Sequence, residues 1–174
     1  MTLTWVDASP EHRSQLEAFR CTTDEQRTIG YRREPKYAWE HKVQRHIHMI
    51  PLPTRPPEFL LLGVDQDHVL AVVNYWYDVA DRSCKILVIA CAFAARRQRI
   101  GWAALQEALA RITSGEGGPV DFVYAHIDRR NDGSLALFEQ AGFVHQADID
   151  DDLQMWVLEI EPLPAEVLDG TYTL

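Results

Sequence analysis

The chain has 174 residues, a length that suits one compact domain. It is 47% hydrophobic and 25% charged, a globular balance that excludes disordered and fibrous classes. Its formal net charge of −9 disfavours nucleic acid and anionic membrane as partners and favours small cations or basic peptides.

Residues 2–7 alternate like a short first strand. Ser9-Pro10-Glu11 reads as a helix start, with a capping hydroxyl, Pro at the first helical position and an acid in the first turn. Leu16 and Phe19 share one face of that helix. Residues 22–34 are polar and read as a loop. A second helix is expected from Pro35 to Ile50, because Trp39, Val43, Ile47 and Ile50 recur at three- and four-residue steps. The proline-rich stretch 51–57 forbids helix and central strand alike, so it is a connector.

Strands follow. Phe59–Asp65 and His68–Asp78 flank Gln66-Asp67 as a hairpin. Cys84–Phe93 has an unbroken apolar middle, Ile86 to Ala90, which predicts a strand buried on both faces. A basic turn leads to a helix over Gly101–Ile112, with Ala104, Leu105, Ala108, Leu109 and Ile112 on its apolar face. Val120–Ile127 reads as a strand. Asn131–Ala141 reads as a helix capped by Asn131 and stopped by Gly142. Phe143–Ile149 and Leu153–Ile160 form a closing hairpin, turned by Asp150 to Asp152. Residues 161–174 read as a surface extension. The strand-helix-strand unit over 84–127 predicts two adjacent parallel strands, hence an α/β sheet of mixed direction.

Three cysteines, Cys21, Cys84 and Cys91, are odd in number and widely spaced, which suits neither a disulfide framework nor a zinc site. No basic patch followed by an apolar stretch opens the chain, and no apolar run approaches the roughly 20 residues of a bilayer span. A cytoplasmic location with no membrane partner is the expectation. His41, His46 and His48 do not keep the three- or four-residue helical steps of a ligand set, so no metal is expected.

The chemistry starts at Arg96-Arg97-Gln98-Arg99-Ile100-Gly101-Trp102-Ala103. A buried strand ends, three arginines arrive, and a helix begins. Main-chain N–H groups at a helix start lack internal partners and carry partial positive charge, so they bind anions, phosphate above all. Gly101 lets a ligand oxygen approach the backbone. Guanidinium groups add charge and planar donors.

This segment resembles the Arg/Gln-x-x-Gly-x-Gly/Ala motif of the GNAT N-acetyltransferase superfamily. Gln98 to Ala103 fits that spacing literally. A register starting at Arg96 agrees better with the flanking residues and puts Arg99 where the first glycine is usual. A second segment, Asn131-Asp132-Gly133-Ser134-Leu135-Ala136-Leu137-Phe138-Glu139-Gln140-Ala141-Gly142-Phe143, is similar to the family's Asn-x-x-Ala-x-x-Leu-Tyr-Glu-Lys-x-Gly-Phe. The resemblance covers residues 58–160 in element order.

The resemblance implies one acyl-CoA-binding domain over 1–174. Its central sheet is mostly antiparallel, with one splayed parallel pair and helices on both faces. Acetyl-CoA would be the acyl donor, and a primary amine of a small molecule or peptide the acceptor, attacking the thioester directly. The cofactor residues it implies are Cys91, Ala92 and Phe93, the stretch Arg96, Arg97, Gln98, Arg99, Ile100, Gly101, Trp102 and Ala103, and Asn131, Ser134 and Phe138. The main chain of Cys91 and Phe93 would hold the pantetheine arm as a neighbouring strand would. Phe138 stands where the family often has a tyrosine acid, so another proton donor is needed; Tyr124 and His126 are candidates, as is water. Glu58, Asp78 and His126 are candidate bases. Tyr75, Trp76 and Tyr77 are candidate walls of an acceptor pocket, of which strand alternation turns one or two to the core. A homodimer is a family habit. A non-catalytic acyl-CoA-binding module, for which Phe138 argues, and a tRNA-acetylating enzyme, against which the net charge argues, are the alternatives.

Overall fold

The computed structural model describes residues 3–22 and 38–160. Most of the expected loop over 22–34 and the whole extension 161–174 lie outside them.

Strand β1 spans Thr4–Asp7. The Ser9-Pro10-Glu11 start gives a short 3-10 turn, Pro10–His12, that runs into helix α1, Arg13–Ala18. Helix α2 spans Ala38–Met49. Leu16, Phe19, Ile47 and Ile50 are all buried, so the apolar stripes on both helices face the sheet. Then come β2 (Glu58–Asp65), β3 (His68–Asp78) and β4 (Ser83–Cys91). Helix α3 covers Ile100–Thr113, β5 Phe122–Asp128 and α4 Asp132–Gln140. Strands β6 (Val144–Asp148) and β7 (Leu153–Glu159) close the chain as a hairpin. Gly142, at φ +92°, ends α4 in the left-handed conformation that glycine adopts without strain. Among the described residues no helix is long and apolar enough to cross a membrane.

The seven strands form one sheet in the order β1-β2-β3-β4-β5-β7-β6. Only β4 and β5 are parallel, as the strand-helix-strand pattern predicts. One face packs on α3 and α4, through Leu61, Val73, Tyr75, Ala104, Leu105 and Phe138 among others. The other packs on α1 and α2 around Leu16, Ile47, Leu62, Val72 and Val88.

Two irregularities in β4 set up the site. Along β3, Asn74 pairs with Val88 but Tyr75 pairs with Ile86, so Leu87 is an extra residue, a β-bulge. Period-two alternation is therefore reset. Cys84 and Ile86 face the α3 side, whereas Val88 and Ala90 face the α1–α2 side. Leu87 itself is 38% exposed, so the expectation of a strand buried on both faces fails at the bulge. The second irregularity is the parallel pairing, which runs only from Ser83↔Phe122 to Ile86↔Ala125. Beyond that point β5 stays with β7 to Asp128, and β4 stays with β3 to Cys91. The two strands part.

Leu105 is fully buried between α3 and the sheet. Leu105→Ala is expected to lower unfolding free energy by about 2–5 kcal/mol. Urea denaturation checks it: the midpoint falls and the slope is unchanged.

Candidate functional site

A cavity of about 600 Å³ opens where β4 leaves β5. Its walls are Trp39, Glu40 and Val43 of α2, Ile89 to Cys91 of β4, the start of α3, and Asn131, Gly133 and Leu137 at α4. Its size and mixed lining suit a ligand of cofactor dimensions.

The start of α3 presents main-chain donors that no side chain caps. Arg99 is the N-cap residue, at φ 61° and ψ 14°, and its side chain makes no cap hydrogen bond. Arg97 has φ 63°. A left-handed conformation costs a non-glycine residue about 1–3 kcal/mol. The Arg96 register is the one the backbone supports, because the family's first glycine then falls on left-handed Arg99. In the literal register the loop glycine would be Gly101, which lies inside the first turn of α3. Helix geometry leaves the N–H groups of Ile100, Gly101 and Trp102 without internal acceptors. That of Ala103 bonds the Arg99 carbonyl at 3.0 Å. A β-carbon on Gly101 would meet only Cys91 Sγ at 3.4 Å and Leu137 Cδ2 at 3.7 Å. A larger side chain would project between these two cavity walls. Arg97 and Arg99 are exposed and make no ion pair among the described residues.

Arg96 has a different task. Its Nη2 donates to Glu40 Oε1 at 2.9 Å and to the Cys21 carbonyl, and its guanidinium lies 5.0 Å over the Phe93 ring. The Glu40 side chain is only 6% exposed, so Arg96 offsets a buried carboxylate and ties α2 to the loop before α3.

Phe93 and Ala92 are corrections to the expected strand. β4 stops at Cys91, and residues 93–95 form a 3-10 turn. The Phe93 N–H already bonds the Arg20 carbonyl, and the Ala92 N–H bonds that of Leu70, both at 2.8 Å. Both side chains line a separate surface recess with Phe19 and Leu70. Gln98 is exposed and outside the cavity. Cys91 stays on its wall, with a thiol that burial pushes up to about 11.

A smaller cavity of about 200 Å³ lies at the parting of the strands, between Ile86 and Ala125, with His126, Asp128 and Phe138. It shares Trp39, Val43, Ile89 and Asn131 with the larger one, so the two adjoin. Asn131 Oδ1 accepts the Ser134 N–H at 3.2 Å, which caps α4 and leaves the Asn131 amide nitrogen for other partners. Ser134 lines neither cavity. Phe138 is 2% exposed and packs edge-on against Phe143, centroids 4.8 Å apart. His126 Nδ1 lies 3.3 Å from Lys85 Nζ. Burial first, then the Lys85 charge, hold the imidazole below its ordinary pKa, against an opposing pull from Asp150.

Tyr124 lies tilted against His126 with centroids 5.8 Å apart but lines neither cavity, and burial raises its pKa. Glu58 is further off. It accepts from Asn74 Nδ2 at 3.0 Å, and Asn74 Oδ1 lies 3.0 Å from His46 Nε2. This polar chain under α2 occupies Glu58. His48 lies 2.7 Å from Gln44 Nε2 and 3.1 Å from the Phe19 carbonyl. Among the described residues no cluster of three or more His, Cys, Asp or Glu is placed to hold a metal. Tyr75 and Tyr77 turn into the α3 core, and Trp76 takes the opposite face.

Sequence reasoning missed Cys21, Trp39, Glu40 and Val43 as cavity walls. The available signal was Glu40 four residues before Gln44 on the α2 face that carries Ile47, an acid where an amphipathic helix should be apolar. Arg96→Ala is expected to destabilise the fold by about 1–3 kcal/mol, because the Glu40 carboxylate is left buried without its partner. Adding Glu40→Gln should recover part of that loss, measured by urea denaturation of single and double variants.

Residues 17–143 match the acetyltransferase (GNAT) family. No curated protein matches the chain. Among solved structures, the PaiA N-acetyltransferase of Thermoplasma acidophilum, in complex with coenzyme A, superposes with TM-score 0.69 at 11% identity, covering 92% of this chain and 100% of that one. The Escherichia coli ribosomal-protein-S18-alanine N-acetyltransferase gives 0.64 at 14%, covering 99% and 100%. A chimera of the spermidine N-acetyltransferase SpeG of Vibrio cholerae with hSSAT gives 0.64 at 15%, covering 91% and 96%. At such identities these structures speak for the fold alone. The family match runs from α1 past the end of α4, well over half of the chain, which therefore belongs to the acetyltransferase (GNAT) family.

Proposed function

We propose that this chain is an N-acetyltransferase that moves the acetyl group of acetyl-CoA to a primary amine of a small molecule or peptide by direct attack. Acetyl-CoA-dependent acetylation is the reaction of its family. The observation that carries the reading is the gap between β4 and β5 beside an uncapped helix start. Past Ile86 and Ala125 the strands no longer pair, so main-chain groups of β4 that would face β5 are available to an extended arm. The N–H groups of Ile100 to Trp102, with the Arg97 and Arg99 guanidiniums, would hold the pyrophosphate. Asn131 would contact the arm from the α4 side. An unpaired β4 N–H near Cys91 would stabilise the charge that develops on the thioester oxygen.

Proton handling falls to His126. Its imidazole lines the cavity at the parting of the strands, and its depressed pKa keeps it neutral and able to accept the amine's proton near neutral pH. Phe138 has no proton to give, so water protonates the leaving thiolate, whose conjugate acid has a pKa of about 8.5. Phe138 also supports a second reading, a family member that binds acyl-CoA without turning it over.

Three measurements test this. Gly101→Val should weaken acetyl-CoA binding at least about tenfold, roughly 1.4 kcal/mol, with little change in thermal midpoint. Unchanged calorimetric affinity would remove the cradle. His126→Gln should lower kcat by about 10²-fold at constant KM for acetyl-CoA. The parent enzyme should lose kcat/KM on acidification, with a midpoint below the ordinary histidine value, because protonated His126 cannot accept a proton; the variant should lack that limb. Phe138→Tyr should preserve or raise thiol release, and a folded, cofactor-binding but inactive variant would show that this ring does not face the sulfur.

A further inference from the structure

The outer face of α2 carries a groove of about 430 Å³ lined by His41, Lys42, Arg45, His46 and Met49. Among the described residues no acid lines it. Lys42 also lines the small cavity with His126 and Asn131. Groove, small cavity and large cavity thus follow one another, the first two joined at Lys42 and the last two through Trp39, Val43, Ile89 and Asn131. An acceptor whose nitrogen sits at His126 would reach out along Lys42.

Lys42 and Arg45 make no ion pair among the described residues, in a chain with 26 acidic against 17 Lys and Arg side chains. The carboxylates that act on Lys42 from the facing elements are Asp128 at the end of β5 and Asp150 in the β6–β7 turn. Both have their own partners. Asp128 takes Arg130 Nε and Nη2 at 2.9 and 2.7 Å. Asp150 takes the N–H groups of Asp152 and Leu153 at 2.8 and 2.7 Å. Lys85, the other cation near the small cavity, has its Nζ 3.3 Å from His126 Nδ1. The α2 end of the path thus carries Lys42 and Arg45 with no ion pair among the described residues, a field that suits a ligand with an anion at the end away from His126.

We propose that the acceptor is a small primary amine carrying a carboxylate or phosphate a few bonds from its nitrogen, and that Lys42 and Arg45 hold that anion. This rests on the N-acetyltransferase reading and reverses the acceptor charge that the net charge alone favours. A cationic polyamine would meet repulsion at the same place.

The test uses the full chain saturated with free coenzyme A and calorimetric titration with matched amines: 3-aminopropanoate against propylamine, and O-phosphoethanolamine against ethanolamine, with spermidine as the polycation. The anionic member of at least one pair should bind at least tenfold more tightly than its neutral counterpart, and the better pair identifies the anion. Lys42→Ala combined with Arg45→Ala should abolish that preference and leave the affinity for coenzyme A unchanged. Equal affinities, binding by none of the amines, or tightest binding by spermidine overturns the proposal. Thiol release from acetyl-CoA with the same amines is read separately. Anion-dependent binding without thiol release keeps the acceptor class and removes acetyl transfer. Thiol release with equal affinities across the pairs keeps transfer and removes the acceptor class.

Discussion

Everything at the site depends on two parallel strands that stop pairing. β5 is held along its whole length by β7, from Phe122 to Asp128, and β4 is held by β3 to Cys91. The two share only four residue pairs. The bulge at Leu87 sits at the end of that shared stretch, and bulges raise local twist and bend the strand that carries them. Main-chain groups left without partners in a buried place cost about 1–3 kcal/mol each. A gap of this kind persists only if water or a ligand fills it. The helices frame it from outside: α2 is tied to the loop before α3 through Glu40 and Arg96, and α4 begins at Asn131 on the opposite rim.

The loop before α3 also carries a local backbone cost. Glycine at position 99 would reach the left-handed conformation at no cost, and arginine does not. What arginine adds is a guanidinium at the mouth of an uncapped helix. Arg97 is strained in the same way. Each residue gives up stability and carries a cation that makes no ion pair among the described residues, beside the start of α3. Arg96, of identical chemistry, is extended at ψ 155° and faces a buried acid. Side-chain type alone does not set Arg97 and Arg99 apart from the structural Arg96; backbone conformation does.

Much of the fold was legible because its signals are local. The β2–β3 hairpin, α3 and α4 follow from alternation, a 3.6-residue period, an Asn cap and a Gly stop, and each falls within a few residues of its expected place. The bulge was not legible, since Leu87 looks like its apolar neighbours and is set apart only by its register against β3. Nor was the role of Glu40, whose partner is 56 residues away. Phe93 misled because apolar character continues past the point where Arg20 and Leu70 capture the main chain. The motif residues of the cavity were legible through resemblance, and its α2 wall was not, because Trp39, Glu40 and Val43 carry no motif and meet the site only through the fold.

One further feature bears on direct transfer. Two thiols, Cys21 and Cys91, line the cavity where a thioester would lie, and either would be a nucleophile if ionised. Burial pushes both up to about 11, and the Arg96 charge pulls each down only in part. At neutral pH roughly one part in ten thousand of such a thiol is ionised, so attack on the acyl group by the protein itself is suppressed. The Arg96–Glu40 pair matters to this balance for Cys21, because Glu40 raises its pKa while Arg96 lowers it. A lone arginine near the two sulfurs would favour thiolate. Paired with a buried carboxylate, it lines the cavity wall while its pull on the Cys21 thiol is opposed.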